Sequence, residues 1–172
     1  MKDCMNMDEK YISDSALWYF VNDDLGECYR NLSEPDQKGI LELTDAYSAE
    51  LWDRYVSATA RHLMLMNKSD WPNYAQGEQR KIEPFPDTND AQSQDIFAEI
   101  LAQQVPYLPD DKIYFFWMKE SAVETTWQIF LRNWPHFFFE DEGPILIVPT
   151  HLTAIVFCLG NYRIVQRPVE PV

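Results

Sequence analysis

The sequence has few cysteines, few glycines and few basic residues, and each shortage excludes a class of protein. Its three cysteines, Cys4, Cys28 and Cys158, are odd in number and far apart, so we expect reduced thiols and neither a disulfide framework nor a zinc site. The five glycines form neither a P-loop nor a dinucleotide-binding fingerprint. No apolar run approaches the length of about 18 residues that a membrane span needs, and the first residues lack the apolar core of a signal peptide. These shortages predict a cytoplasmic protein without a metal or a cofactor.

Basic residues are outnumbered two to one by acidic residues. Fourteen Lys and Arg face 28 Asp and Glu, which gives a formal net charge of −14. The excess is even, since residues 1–86 hold 9 basic and 16 acidic residues and residues 87–172 hold 5 and 12. Nucleic acids and anionic membranes are bound by clusters of Lys and Arg, which are missing here. We therefore expect no nucleic-acid or membrane binding, whereas a basic protein partner would be attracted to this surface.

Aromatic residues are abundant in this chain. The 172 residues are 46% hydrophobic and 15% aromatic, with six Trp and ten Phe, so the chain has enough apolar surface to build a core. This length predicts one domain that covers residues 1–172. Within it, the Asn-, Asp- and Pro-rich stretch at about residues 67–95 is expected to form a long irregular loop.

The periodicity of apolar residues predicts an α+β fold. Helices are expected from Ser33 to about Leu43, from Asp45 to about Met66, and around Ile96–Val105. Apolar runs predict strands at 16–21, 113–118, 145–148, 153–159 and 162–167, with a hairpin turn at Gly160-Asn161. Residues 122–134 fit both patterns, and a helix from about Thr126 is favoured. We expect an antiparallel sheet of about four to five strands, formed mainly by the C-terminal half, with helices packed on one face.

The stretch from Glu124 to Ile147 combines aromatic and acidic side chains more densely than any other. One interpretation places its aromatic rings in the core and its acids in a solvated turn before a strand. The other is a flat aromatic and acidic surface on which tryptophans anchor a basic partner and carboxylates match its charge. In that second case the interaction residues are Glu124, Trp127, Trp134, Glu140, Asp141 and Glu142.

The histidines offer an alternative site. His136 and His151, together with Trp71, could line a ligand pocket under the 67–95 loop. No HxH, HExxH or similar spacing accompanies them, so no metal ligands are assigned. The sequence also has no GxSxG motif, and we assign no catalytic residue.

Several of these motifs resemble a known family. They are the strand Ile113–Trp117, the series Glu124-Thr125, Trp127, Phe130, Trp134 and Phe137, and Asp141 with Gly143-Pro144; Leu17-Trp18, Leu51-Trp52 and Asp70-Trp71-Pro72 match more weakly. The family comprises small acidic bacterial proteins, mostly proteobacterial, that carry a domain of unknown function, and the resemblance covers most of the chain. A looser likeness to bacterial toxin-immunity proteins implies an inhibitor of a basic partner.

Three functions follow as hypotheses. The leading one is a non-catalytic protein-interaction module, such as an immunity or antitoxin-like inhibitor. The second is a small metal-independent enzyme or ligand binder that uses the histidine pocket. The third is a structural homo-oligomer.

Overall fold

The structure is a computed structural model that describes residues 7–13, 32–68, 70–74, 80–81, 91–138 and 142–169. Within these ranges the α-helices are α1 (Met7–Lys10), α2 (Glu34–Lys38), α3 (Asp45–Tyr55), α4 (Trp71–Tyr74), α5 (Ala91–Gln104) and α6 (Trp127–Asn133). Two 3-10 helices cover Leu63–Leu65 and Trp134–Phe138. The strands are β1 (Leu41–Glu42), β2 (Arg80–Lys81), β3 (Lys112–Met118), β4 (Ser121–Thr126), β5 (Ile145–Ile147), β6 (Thr153–Cys158) and β7 (Asn161–Gln166).

In the described residues the strands form one antiparallel sheet with the order β1-β4-β3-β5-β6-β7-β2. The α+β class is confirmed, and the five strands from β3 to β7 come from the C-terminal half as expected. The predicted number of four to five strands is too low. β1 and β2 have two residues each, too few to show an alternating pattern, and β4 lies in the stretch whose periodicity was ambiguous.

Helices and loops cover both faces of the sheet, which corrects the expectation of a single covered face. On the first face, α5, α6 and the 3-10 helix at Trp134–Phe138 pack against alternate residues of the strands, such as Phe115 and Phe157. On the second face, α3 and the chain up to Trp71 pack against the residues in between, such as Phe116 and Val156. This explains why β3 is apolar at five successive positions, because a strand buried on both sides has no solvent-facing side chains.

Two local predictions hold with small shifts. The strand β4 ends at Thr126, and α6 begins at the next residue. The hydroxyl of Thr126 accepts a hydrogen bond from the amide of Ile129 and so caps the helix. The last hairpin turns at Leu159-Gly160, one residue earlier than expected, because Cys158 pairs with Asn161. Both turn residues have positive φ, 48° and 70°. A two-residue turn of this kind matches the right-handed twist of the two strands that it joins.

The predicted helix 45–66 is shorter in the structure. It ends at Tyr55, and Ser57 then accepts hydrogen bonds from the amides of Thr59 and Ala60, which turns the chain away from the helix axis. The apolar residues that continued the helical spacing still pack into the core on the second face of the sheet, but turns and a short 3-10 helix, which contains Leu63, carry them.

The expected loop at 67–95 contains α4 and β2, and α5 begins inside it at Ala91. Residues 75–79 and 82–90 lie outside the described residues, as does the predicted strand at 16–21. Among the described helices, none combines the length and the apolar character needed to cross a membrane.

Candidate functional site

The two tryptophans proposed as surface anchors lie in the first core. Trp127 is 2% exposed and stacks on Phe130, and Trp134 is 3% exposed and contacts Phe97 with a ring-centroid distance of 4.6 Å. The indole nitrogen of Trp134 also donates to the carbonyl of Gln94 on α5. The rings are buried because α6 faces the apolar side of β3 and β6. The core interpretation of this stretch is therefore correct, and neither indole offers an anchor to a partner.

Glu124 is also buried, and its carboxylate is engaged within the protein. Oε2 accepts a hydrogen bond of 2.9 Å from the hydroxyl of Tyr11, and Oε1 lies 2.7 Å from Nζ of Lys112. Burial, and then the hydrogen bond to Glu124, raises the pKa of Tyr11. This cluster ties the segment 7–13 to the edge of the sheet, so Glu124 is not available to an external basic group.

Of the three acids after the aromatic stretch, one is among the described residues. Glu142 is exposed, in agreement with a solvated turn before β5. Glu140 and Asp141 lie outside the described residues, and their role stays a prediction.

The two histidines do not share a pocket. His136 is buried beside Phe137, whose carbonyl accepts a hydrogen bond from the indole of Trp117, whereas Nε2 of His151 lies 3.1 Å from Oδ2 of Asp111. Asp111 directly precedes β3 and Trp117 lies near the end of this strand, six positions later, which is roughly 20 Å at the rise of a strand. The backbone of Phe137, next to His136, is therefore bound near the end of β3, whereas the imidazole of His151 is bound just before its start.

Trp71 lies on the other side of the sheet from His136. Its ring belongs to the second core, and its indole nitrogen donates to the carbonyl of Val56. The predicted histidine pocket is therefore not formed by these three residues. Among the described residues, no group of three or more His, Cys, Asp or Glu side chains is arranged to hold a metal ion.

The outer face of α5 is the surface that sequence reasoning missed. Six residues of this helix are exposed and lie within an arc of about 140° at 100° per residue: Gln92, Asp95, Ile96, Glu99, Ile100 and Gln103. The opposite side carries Phe97 and Leu101, which are buried in the first core. Ile96 and Ile100 remain 48% and 42% exposed. The apolar spacing that predicted this helix did not reveal the exposed face, because spacing alone does not distinguish Ile96 and Ile100 from the buried Phe97 and Leu101.

Charge is also distributed unevenly over the described helices. The sequence of α5, AQSQDIFAEILAQQ, contains two acids and no Lys or Arg. Outside α5, five Lys or Arg side chains are bound to carboxylates, in the pairs Lys38–Glu34, Arg61–Glu120, Lys112–Glu124, Lys119–Asp53 and Arg132–Asp36. The α5 face is thus both apolar and acidic, and its own helix supplies no cation.

These features define an α+β protein with a two-sided antiparallel sheet and an exposed acidic helix face, and the sequence comparisons identify its family. The model of the family described as "Protein of unknown function (DUF2947)" matches residues 9–165, so the chain belongs to that family. No curated protein and no solved structure shows significant similarity to it.

Proposed function

We propose that this chain is a protein-interaction module that binds a basic, amphipathic segment of a partner on the outer face of α5. The observation that carries the proposal is the pair of exposed isoleucines, Ile96 and Ile100, set beside Asp95 and Glu99. Residues four apart on a helix are neighbours, so the two isoleucines form one apolar strip and the two acids a parallel charged strip.

The face suits a partner because its helix is held firmly from behind. Phe97 contacts Trp134 and also Tyr162 of β7, with ring-centroid distances of 4.6 and 5.7 Å. A docking surface that is already in place loses little conformational freedom on binding, which favours affinity. The partner segment would cover the isoleucines with apolar side chains and place Lys or Arg over Glu99, as amphipathic helices do in grooves and on helix surfaces.

The expected energies are moderate. Complete burial of an isoleucine contributes about 1.5–3 kcal/mol, so covering two that are nearly half exposed contributes about 1.4–2.7 kcal/mol in total. That corresponds to roughly 10- to 100-fold in affinity. The net charge of −14 speeds the encounter with a basic partner and makes the association sensitive to salt.

The proposal is tested by photo-crosslinking from defined positions. A photoreactive residue at position 100, in the full chain inside its native host cell, should form an adduct with a basic segment of one protein. The same residue at position 65 is the control, since Leu65 is 70% exposed on a different element. Ile96→Ser with Ile100→Ser should then lower the affinity for that protein at least tenfold, and Leu65→Ser should leave it unchanged.

Equal crosslinking from both positions, or adducts with an acidic partner, would contradict the proposal. Adducts with a second copy of the chain would support the homo-oligomer instead. Repulsion between two acidic α5 faces disfavours that arrangement, and the mass from light scattering distinguishes the two cases.

A further inference from the structure

Arg167, the residue that follows β7, is a buried cation. Its side chain is 9% exposed and lies on the second face of the sheet together with Val165. Its Nη2 donates to the backbone carbonyls of Val148, Pro149 and His151. Among the described residues, no Asp or Glu forms an ion pair with it.

This arrangement is unusual in a chain with twice as many acids as bases. Buried charges are generally paired, because removing an ion from water is costly unless a counter-charge compensates it. Five other Lys or Arg side chains of the described residues, three of them half exposed or more, are each bound to a carboxylate. Burial lowers the pKa of Arg167, yet a guanidinium remains protonated at neutral pH. An anion that entered here would remove the imbalance.

A cleft of about 190 Å³ gives access to this guanidinium. Arg54 and Tyr55, at the end of α3, line it together with Arg167, and the guanidinium carbons of the two arginines lie 5.1 and 5.3 Å from the Tyr55 ring centroid. Arg54 is exposed, so its charge is available at the entrance. The remaining walls are apolar and consist of Pro149, Leu152, Pro168 and Val169.

The hydrogen bonds of Arg167 leave one nitrogen for a ligand. Nη2 is held by the three carbonyls, and Nε is sealed from solvent without a hydrogen-bond partner. Nη1 donates to no described residue, and it is not among the sealed atoms. Because Nη2 is fixed by the backbone, the planar guanidinium presents Nη1 in a constant direction, as a preformed anion site requires.

We propose that this cleft binds a small monocarboxylate, with the carboxylate on Nη1 of Arg167 and within reach of Arg54, and its apolar group against Leu152 and the two prolines. A guanidinium edge matches a carboxylate in geometry and charge. A phosphate would bring more oxygens than one free nitrogen and one exposed arginine satisfy, and it has nothing to place on the apolar walls. The size fits as well, since a cavity of about 150 Å³ holds a benzene ring.

Benzoate is a suitable probe, with benzamide as its uncharged match. Affinities for molecules of this size are in the millimolar range, so the titration is followed by NMR on the full chain at constant ionic strength. We expect saturable shifts at Tyr55, Leu152 and Arg167 with benzoate and at least tenfold weaker binding of benzamide. Arg54→Gln should weaken benzoate binding severalfold, and Arg61→Gln, a change at an exposed arginine of another loop, should leave it unchanged.

Arg167→Gln should abolish the binding, and a second variant covers the case in which it does not fold. Leu152→Trp fills the cleft from a half-exposed position and should abolish the binding while the guanidinium is retained. Equal affinity for benzoate and benzamide, the absence of saturable binding, or tighter binding of inorganic phosphate would overturn the proposal. The variant with Ser at 96 and 100 should bind benzoate normally, so failure at the α5 face and failure at the cleft are distinguishable.

Discussion

Replacing Trp52 by Phe tests whether the second face of the sheet is a closed core. Trp52 is 0% exposed, and its Nε1 donates a hydrogen bond of 2.6 Å to the carbonyl of Ala60. Its ring meets Phe116 of β3 edge to face, at a centroid distance of 5.6 Å. The phenyl ring keeps this aromatic contact but loses the N–H group and about two buried carbon atoms.

The magnitude follows from these two losses. A buried carbonyl left without its donor costs about 1–3 kcal/mol, and two buried carbon atoms account for about 1.6 kcal/mol. We therefore expect the free energy of unfolding to fall by about 3–4 kcal/mol, out of the roughly 5–15 kcal/mol typical of a domain. For a chain of this length, the melting temperature should fall by roughly 10 °C.

Urea unfolding followed by circular dichroism measures the change without relying on tryptophan emission. The dependence on urea should keep its slope, because the surface exposed on unfolding is nearly the same. Leu65→Ala, at an exposed position, is the control and should stay within about 0.5 kcal/mol of the wild type. A cost below about 1 kcal/mol for Trp52→Phe would refute the two-sided core.

Three further changes give separate tests. Gly143 has φ of +133°, and an added Cβ would lie 2.6 Å from Cβ of Leu63, so Gly143→Ala should lower the free energy of unfolding by about 3 kcal/mol in urea titrations; an unchanged midpoint would count against this. Burial acts to raise the pKa of Asp36, but the hydrogen bonds from Arg132 and Asn133 and the charge of Arg132 together outweigh it, and the pKa is lowered. The stability that wild type has over Asp36→Asn should therefore be complete above about pH 4 and disappear as the pH falls through the lowered value; parallel melting curves down to acid pH would disagree. Glu34→Gln breaks only an exposed ion pair with Lys38 and should change the free energy of unfolding by less than about 0.5 kcal/mol. A loss above about 1 kcal/mol would contradict the small contribution expected of an exposed pair.

The sequence predicted those elements whose periodicity reflects burial. The strand at 113–118 was recognised because both of its faces are apolar, and the last two strands because a glycine turn separates them. The helix from Asp45 was predicted to be too long, because Val56 and Leu63 keep the helical spacing. Both are in the core, but they lie beyond the end of the helix, Leu63 in a short 3-10 helix. The spacing of apolar residues along the chain indicates which residues are buried, but it does not determine whether a helix or a turn brings them to the core.

The candidate sites depended on exposure and long-range contacts, which spacing does not encode. Trp134 and Ile96 are both apolar residues on helices, yet one is in the core and the other is half exposed. Arg167 had a signal in the sequence, since it lies two positions after Val165 in an extended segment and so shares the covered face of that residue. Its hydrogen bonds to the carbonyls of residues 148–151 could not be predicted, because these residues are distant in the sequence and only the fold brings them together.

The strand order also has a consequence for the synthesis of the chain. Strands β3 to β7 lie between residues 112 and 166, and the last of them is complete only about 100 residues after Trp52 and Trp71 have been made. At a translation rate of roughly 5–20 residues per second, the first half waits about 5–20 s for the strands that cover it. During that interval its tryptophans have no sheet to pack against, so a nascent chain that stops before residue 112 is a natural client for the chaperones that meet it at the ribosome.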